Sequence, residues 1–226
     1  MTERHIPPRG MRTLGSHNET HTRLVLVRHG EPVSAVEGIV GGPVGDTGLT
    51  EQGRTQARTL CERLRASQEL AEAAALYAST LPRAIETAEL LAPGLGGLAV
   101  VVRHDLREHD PGELDGLTWT EAAARHVLPD FDTEPDRPVG PGAESLLGFH
   151  LRARAALVAL ADAHVAETVV IACHGGIVAA GVGMVFGLEP HVRVMLPTRY
   201  ASMTELVRTE RGWELGRYND RYPVTG

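Results

Sequence analysis

The chain has 226 residues, of which 42% are hydrophobic, and carries a formal net charge of -7, so it is long enough for one domain with a substantial core. Arginine supplies all 22 basic residues, and these form no block, which excludes an extended binding surface for nucleic acid or anionic membrane. The absence of lysine also excludes a Schiff-base lysine and the lysine of a Walker-type phosphate loop.

Two cysteines, Cys61 and Cys173, lie in apolar stretches and provide neither a disulfide framework nor a thiolate metal cluster. The first 21 residues lack the apolar run of a signal peptide, and no later stretch reaches 18 uncharged apolar residues. We therefore expect a cytoplasmic, soluble protein with a disordered extension over 1–21 and a single folded domain over 22–226. The sequence carries no signal for a particular oligomeric state.

Short apolar runs alternate with helical patterns along the chain, which is typical of a parallel sheet covered by helices. Strands are predicted at 24–27, 75–78, 98–102 and 168–172. Near the C-terminus, the segments 202–209 and 213–219 flank a turn-like ERG and are predicted to form an antiparallel edge hairpin. The expected fold is a three-layer α/β sandwich with a mostly parallel central sheet, helices on both faces and an antiparallel edge strand.

Four helices are predicted between these strands. The first follows Thr50, a suitable N-cap, and the second begins at Pro82. The third runs from near Ser145 to about His164, and the fourth from Gly175 or Gly176 to about Gly187. The spacing of apolar and small residues predicts one buried stripe in each of the first two helices, formed by Gly53, Ala57, Leu60, Cys61 and Leu64 and by Ala84, Ile85, Ala88 and Leu91.

Basic side chains follow three of the predicted strands. Arg28 and His29 come directly after the first strand, Arg83 lies in the first turn of the helix after the second, and His174 follows the strand at 168–172. Because the carboxyl ends of parallel strands face one crevice, we expect these four side chains to meet. They would repel one another unless an anion bound among them, and phosphate matches the guanidinium fork best.

Five motifs in this order resemble the histidine phosphatase superfamily, in its phosphoglycerate mutase-like branch with RHG and HGG motifs. The resemblance extends from about residue 23 to the final NDRYPV, and its motifs are RHGE at 28–31, LTEQGRTQA at 49–57, STLPRAIETA at 79–88, LREHDPGELDGL at 106–117 and ACHGG at 172–176.

The resemblance implies a phosphomonoesterase that hydrolyses a small phosphorylated metabolite through a phosphohistidine intermediate, with no metal and no cofactor. It implies that His29 is the nucleophile and that Arg28, Arg83 and His174 bind the phosphate. The acidic segment 108–115 offers four carboxylates, among which composition alone does not choose. The family pattern L-x-E-x-x-x-G-x-x-x-G assigns the general acid, later the general base, to Glu108, which must hold a proton for this role.

One departure from the family concerns its frequent Trp-Asn pair after RHGE, where this chain has Ser34 and Ala35. A phosphate-contacting asparagine is therefore missing, and backbone N–H groups of the glycine-rich segment 41–48 are expected to replace it or the contact stays unfilled. The missing asparagine weakens the case for a phosphoglycerate mutase more than the case for a phosphatase. The alternatives to the phosphatase are mutase-type phosphoryl transfer and a non-catalytic phospholigand-binding protein.

The substrate pocket beyond the phosphate is expected to be shaped by 36–48, 110–120 and 129–143. The last segment is either a lid or a surface connection, and Trp119 and Phe131 either stack on a substrate ring or only pack.

The motifs of two other phosphatase and hydrolase classes are absent from the sequence. Cys173 lacks the arginine of a C-x5-R loop, since Ala179 stands there, so a buried structural thiol is expected. The histidines show no metalloprotease spacing, and His104, His109 and Asp110 are expected to form a solvated loop.

Overall fold

A computed structural model describes residues 21–221, so the predicted N-terminal extension lies outside the described residues except for His21. Within this range the strands are β1 (Thr22–Arg28), β2 (Ala73–Ser79), β3 (Val100–Arg103), β4 (Thr168–Cys173), β5 (Met203–Thr209) and β6 (Gly212–Asp220). The α-helices are α1 (Val33–Val36), α2 (Glu51–Ser67), α3 (Pro82–Leu91), α4 (Trp119–Arg125), α5 (Leu146–Ala163) and α6 (Gly175–Val185). None of the helices in residues 21–221 is long and apolar enough to cross a membrane.

The six strands form one sheet in the order β3-β2-β4-β1-β5-β6. The first four strands of this order are mutually parallel, whereas β5 runs antiparallel to β1 and β6 antiparallel to β5. The predicted mostly parallel sheet with an antiparallel edge hairpin is confirmed. The third strand begins two residues later than predicted, at Val100. It lies at the edge of the sheet, where Val101 and Val102 are exposed.

Side chains alternate between the two faces of the sheet, and each face is covered by helices. In β1, Leu24 and Leu26 pack with α5 and α6, whereas Val25 and Val27 pack with α2 and α3. All four are fully buried, which explains why a parallel strand reads as a continuous apolar run. The α/β sandwich is therefore as expected.

The helix ends follow the predicted capping residues. The Thr50 hydroxyl accepts a hydrogen bond from the Gly53 N–H at 2.9 Å, and Ser145 caps α5 in the same way. The predicted buried stripe of α2 is confirmed at all its positions. In α3 the stripe is shifted, since Ile85 is half-buried and the helix instead buries Arg83 toward the carboxyl end of the sheet.

The carboxyl ends of β1 and β4 lie side by side. Arg28 pairs in register with Cys173, and the His29 N–H donates to the Cys173 carbonyl at 2.9 Å. The two residues that follow these strands, His29 and His174, are thereby brought next to each other. This edge of the sheet is covered by the segments 36–48 and 112–117 and by 126–145, which contains no helix or strand.

Candidate active site

His29 is the residue around which the site is organised. Its side chain is buried, and Nδ1 lies 2.7 Å from the Gly30 carbonyl oxygen, which can only accept a hydrogen bond. Nδ1 therefore carries the proton, and the lone pair resides on Nε2. Burial holds the pKa of His29 well below its usual value, and the nearby charges of Arg83 and Arg28 lower it further. The imidazole is thus neutral and suited to nucleophilic attack.

Arg83 reaches His29 from the first turn of α3. Its Nε–H donates to Nε2 of His29 at 3.1 Å, and its Nη1 donates to the Gly41 carbonyl at 2.7 Å and to Oδ2 of Asp46 at 3.0 Å. The same Asp46 oxygen accepts the backbone N–H of Arg83 at 3.2 Å. The Asp46 side chain is fully buried, so this ion pair fixes the guanidinium in a site of low dielectric.

Arg28 is the last residue of β1 and directly precedes His29. Its guanidinium carbon lies 4.2 Å from the Tyr200 ring centre, and Nη1 donates to the Thr198 carbonyl. The Tyr200 ring is also 5.7 Å from that of His29. The buried Nε of Arg28 has no hydrogen-bond partner among residues 21–221, so this donor is free for an anion.

His174 occupies the N-cap position of α6 and is fully buried. Its ring centre lies 5.2 Å from that of His29, and its Nε2 lies 2.7 Å from the Ser79 hydroxyl oxygen at the end of β2. The buried Nδ1 has no partner in the part of the chain that the structure describes. Burial and the charge of Arg83 hold the pKa of His174 well below its usual value.

Glu108 is tied to the start of α6. Its Oε2 accepts the Gly176 N–H at 3.0 Å, and Oε1 accepts the N–H of His109 at 3.0 Å. A Cβ at Gly176 would lie 2.1 Å from Oε1, so only glycine permits this approach. Arg152 fixes the surrounding chain by donating to the carbonyl oxygens of Arg107 and Glu108 at 3.1 and 3.2 Å.

The other three carboxylates of the acidic segment have structural or solvent-exposed positions. Asp110 forms an ion pair with Arg107, and Glu113 is exposed.

Asp115 accepts the N–H groups of Gly42, Val44 and Gly45 at 2.7–2.9 Å, and Asp46 accepts that of Gly48. The expectation that backbone donors of 41–48 contact phosphate is therefore wrong for these four groups, since carboxylates within the protein already bind them.

A cavity of about 310 Å³ opens beside Arg83 and Glu108. Trp119 and Phe131 both line it, together with Val40, Gly41, His109, Pro111, Leu114, Leu128 and Val139. The segment 129–143 therefore covers a cavity, with Phe131 and Val139 in its wall, and is more than a surface connection. A second cavity of about 240 Å³ shares Glu108, His109 and Phe131 and adds Arg193 and His150.

The rival enzyme classes find little support in this geometry. Burial raises the pKa of the Cys173 thiol, which therefore stays protonated. Within residues 21–221, no three His, Cys, Asp or Glu side chains are grouped closely enough to hold a metal ion. The expectation of a solvated loop is wrong for His109, whose ring packs edge-on against Phe149 at 5.6 Å.

The predicted site residues Arg28, His29, Arg83 and His174 are thus brought together, and Glu108 lines the cavity that Arg83 also lines. Sequence reasoning missed Asp46, Ser79 and Tyr200, which position these side chains. Ser79 directly ends a predicted strand, which was an available signal. Asp46 and Tyr200 lie in loops, and nothing in their neighbourhood in the sequence indicates their partners.

Comparison with known proteins agrees with this geometry. Residues 24–221 match the family model of the histidine phosphatase superfamily, branch 1. The chain is 34% identical to phosphoglycerate mutase-like protein 4 from Arabidopsis thaliana, over 72% of this chain and 70% of the relative. It is also 34% identical to a metal-independent phosphoserine phosphatase from the same plant, over 70% of this chain and 66% of that relative.

A solved structure with the same fold is that of mycobacterial glucosyl-3-phosphoglycerate phosphatase. It aligns with a TM-score of 0.73 and 28% sequence identity, over 88% of this chain and 99% of the other. The family resemblance predicted from the motifs is therefore confirmed. The chain belongs to branch 1 of the histidine phosphatase superfamily.

Proposed function

We propose that the protein is a metal-independent phosphomonoesterase that hydrolyses a small phosphorylated metabolite through a phosphohistidine at His29. The observation that carries the proposal is the hydrogen-bonding of this imidazole. Gly30 holds the Nδ1 proton, and Nε2 faces the Nε–H of Arg83 at 3.1 Å. A neutral histidine whose Nε2 lone pair points at a fixed guanidinium is a nucleophile that faces an anion site, and a phosphate that takes the Arg83 N–H releases this lone pair for attack.

In the first step, Nε2 of His29 attacks phosphorus, the N–P bond forms, and the bond from phosphorus to the leaving oxygen breaks. The hydrogen bond from Arg83 to Nε2 supports a role in phosphate binding, because the same N–H can donate to an oxygen of a phosphate held beside His29. Asp46 and the Gly41 carbonyl keep the guanidinium in this orientation. The positive charge gained by the imidazole is compensated by the phosphoryl group that it receives.

Two further donors support the phosphate assignment. The Nε of Arg28 and the Nδ1 of His174 are buried without partners among the described residues. Phosphate oxygens would accept from both when His174 carries its proton on Nδ1 and its Nε2 accepts the Ser79 hydroxyl. Unpaired buried polar groups are costly, and a preorganised donor of this kind typically lowers the barrier by about 3–4 kcal/mol. Arg28, Arg83 and His174 together would hold the equatorial oxygens of the transferring group.

Glu108 is proposed as the general acid and then the base. It lines the same cavity as Arg83 and is held by the Gly176 N–H, two residues beyond His174. In its protonated form it gives its proton to the leaving alkoxide. In the second step it accepts a proton from the water that attacks phosphorus, and the N–P bond breaks.

The alternatives are less well supported. A mutase must hold a second phosphate, yet Arg83 is the one arginine among the described residues that line the larger cavity. A non-catalytic binder needs neither a neutral imidazole nor a carboxylate beside the phosphate. The similarity to a metal-independent phosphoserine phosphatase and to a glucosyl-3-phosphoglycerate phosphatase also favours hydrolysis.

We propose that 22–226 acts as one catalytic domain in the cytoplasm on a small phosphorylated substrate. Both cysteines are free and buried, which agrees with a reducing compartment.

Hydrolysis of p-nitrophenyl phosphate with and without EDTA tests the proposed function. We expect turnover that EDTA leaves unchanged and that His29→Ala abolishes. Turnover that EDTA removes would instead indicate a metallohydrolase. Phosphate binding without any turnover would indicate a binding protein.

A further inference from the structure

The larger cavity lies where the leaving group of a bound phosphomonoester must lie. Of the five proposed site residues, Arg83 and Glu108 line it. Arg83 holds the phosphate, and Glu108 protonates the leaving oxygen, so the alcohol part of the substrate extends from the space between them. The polarity and charge of the cavity wall therefore indicate which kind of alcohol the site accepts.

The wall is largely apolar. Val40, Leu114 and Val139 line the cavity and form a small buried cluster with Ala122. Each of these four side chains is less than one-tenth exposed. Trp119 and Leu128 line the same space yet are 57% and 40% exposed. Large apolar side chains that are exposed on a concave surface lose this exposure when an apolar ligand covers them.

Charged partners for a polar substrate are scarce in this cavity. Arg83 already binds Asp46 and the Gly41 carbonyl, and Glu108 carries no positive charge in either protonation state. His109 is kept neutral because burial lowers its pKa. A carboxylated alcohol, such as the one that phosphoserine or 3-phosphoglycerate would release, finds no free cation among the described residues of this wall.

We propose that the preferred substrates of this site are phosphate monoesters of apolar alcohols, with an aryl group or a medium-length alkyl chain. This inference rests on the proposed function, because the phosphate must bind at Arg83. It extends that function by naming the leaving group that fills the 310 Å³ cavity. The volume lies at the lower end of the range for small-molecule sites, which suits one such group.

The neighbouring cavity offers the main alternative. Arg193 lines it, with the guanidinium carbon 5.2 Å from the ring centre of Phe131, and Phe131 belongs to both cavities. A substrate that extended past Phe131 would reach this cation with a carboxylate. The experiment therefore compares alkyl and carboxylated ligands and includes the Arg193→Ala variant.

Alkylphosphonates are suitable probes because they bind without being hydrolysed. We expect the dissociation constant, measured by calorimetry on the full chain, to fall about threefold to fourfold for each methylene from methyl- to pentylphosphonate. Pentylphosphonate should bind at least tenfold more tightly than 3-phosphonopropionate. An affinity independent of chain length would overturn the inference, as would tighter binding of the carboxylated ligand that Arg193→Ala removes.

Two neighbouring residues provide a matched pair of variants. Leu128→Gln changes the cavity wall and should weaken pentylphosphonate binding at least fivefold. Val127→Gln changes a side chain that is 80% exposed outside the cavity, and it should bind like the wild type. Equal affinities for the two variants would contradict the inference.

The binding series is independent of turnover. If p-nitrophenyl phosphate is not hydrolysed but the affinity still rises with chain length, the proposed function fails and the apolar subsite stands. If hydrolysis depends on His29 but chain length has no effect, the subsite fails and the phosphatase stands.

Discussion

The Nε–H of Arg83 donates a hydrogen bond to Nε2 of His29 at 3.1 Å, and both side chains are about 95% buried. This contact joins the proposed nucleophile to a residue that we propose binds the phosphate, and it forms without any substrate. It also shows why the imidazole is neutral, since a protonated Nε2 would have to face the guanidinium in a site that water does not screen.

Asp46 is predicted to act as a positioning residue through Arg83. Asp46→Asn keeps the side-chain shape but removes the charge from a fully buried ion pair. Hydrogen bonds to charged groups contribute about 1.5–3 kcal/mol, so we expect kcat/KM to fall about 10-fold to 100-fold and inhibition by inorganic phosphate to weaken. Steady-state kinetics with p-nitrophenyl phosphate measures both quantities.

The control for this variant is Glu37→Gln, which removes an exposed carboxylate from the same connecting segment. It should retain wild-type kinetics. Unchanged kinetics in Asp46→Asn would show that Arg83 needs no charged partner.

Glu108 and Gly176 are predicted to matter more as the leaving group becomes poorer. Glu108→Gln cannot supply a proton, and general acids typically contribute 10²- to 10⁴-fold, so we expect kcat for an alkyl phosphate to fall at least 100-fold. The loss with p-nitrophenyl phosphate should be less than tenfold, because nitrophenolate leaves without a proton. Parallel kinetics with the two substrates makes this comparison.

Gly176→Ala should reproduce this leaving-group dependence, because its Cβ would lie 2.1 Å from Oε1 of Glu108. Gly175→Ala provides the contrast, since its Cβ would lie 3.6 Å from Nε of Arg28 in the proposed phosphate site and should therefore affect the two substrates equally. Equal losses with both substrates in Glu108→Gln would assign Glu108 a structural role.

The lowered pKa of His29 predicts a stability that depends on pH. Below about pH 6.5 the unfolded chain protonates this imidazole, whereas the native state does not. The unfolded state then binds more protons, so the free energy of unfolding decreases as the pH falls below 6.5. We expect His29→Asn to reduce the slope of the free energy of unfolding against pH by up to about 1.4 kcal/mol per pH unit.

Urea unfolding at pH 7.5, 6.5 and 5.5 measures the slope. The exposed His104 provides the comparison variant His104→Asn, which should behave like the wild type. A slope that His29→Asn leaves unchanged would mean that the folded protein protonates His29 as readily as the unfolded chain does.

The sequence predicted the fold correctly where a single local pattern determines the structure. The parallel strands are apolar runs buried on both faces, and Thr50 caps its helix through a contact three residues away. The short helix α1 was missed because four residues show no periodicity. Helix α4 was also missed, although Thr118 and Glu121 form a capping box there.

The sequence predicted those parts of the site that the ends of strands position. His29 and His174 each follow a strand directly, so sheet topology alone brings them together. The role of Asp46 could not be predicted, because its partner Arg83 is 37 residues away and the two meet through a loop. The role of Asp115 could not be predicted for the same reason, since it accepts three N–H groups of a loop some 70 residues earlier.

Rapid quenching of the enzyme during turnover of a phosphomonoester, followed by peptide mass spectrometry, tests the central claim most directly. The account predicts one phosphoryl group on the peptide that contains His29, with an acid-labile bond typical of phosphohistidine, and its absence in His29→Ala. A phosphoryl group on another residue, or turnover that continues in His29→Ala, would contradict it.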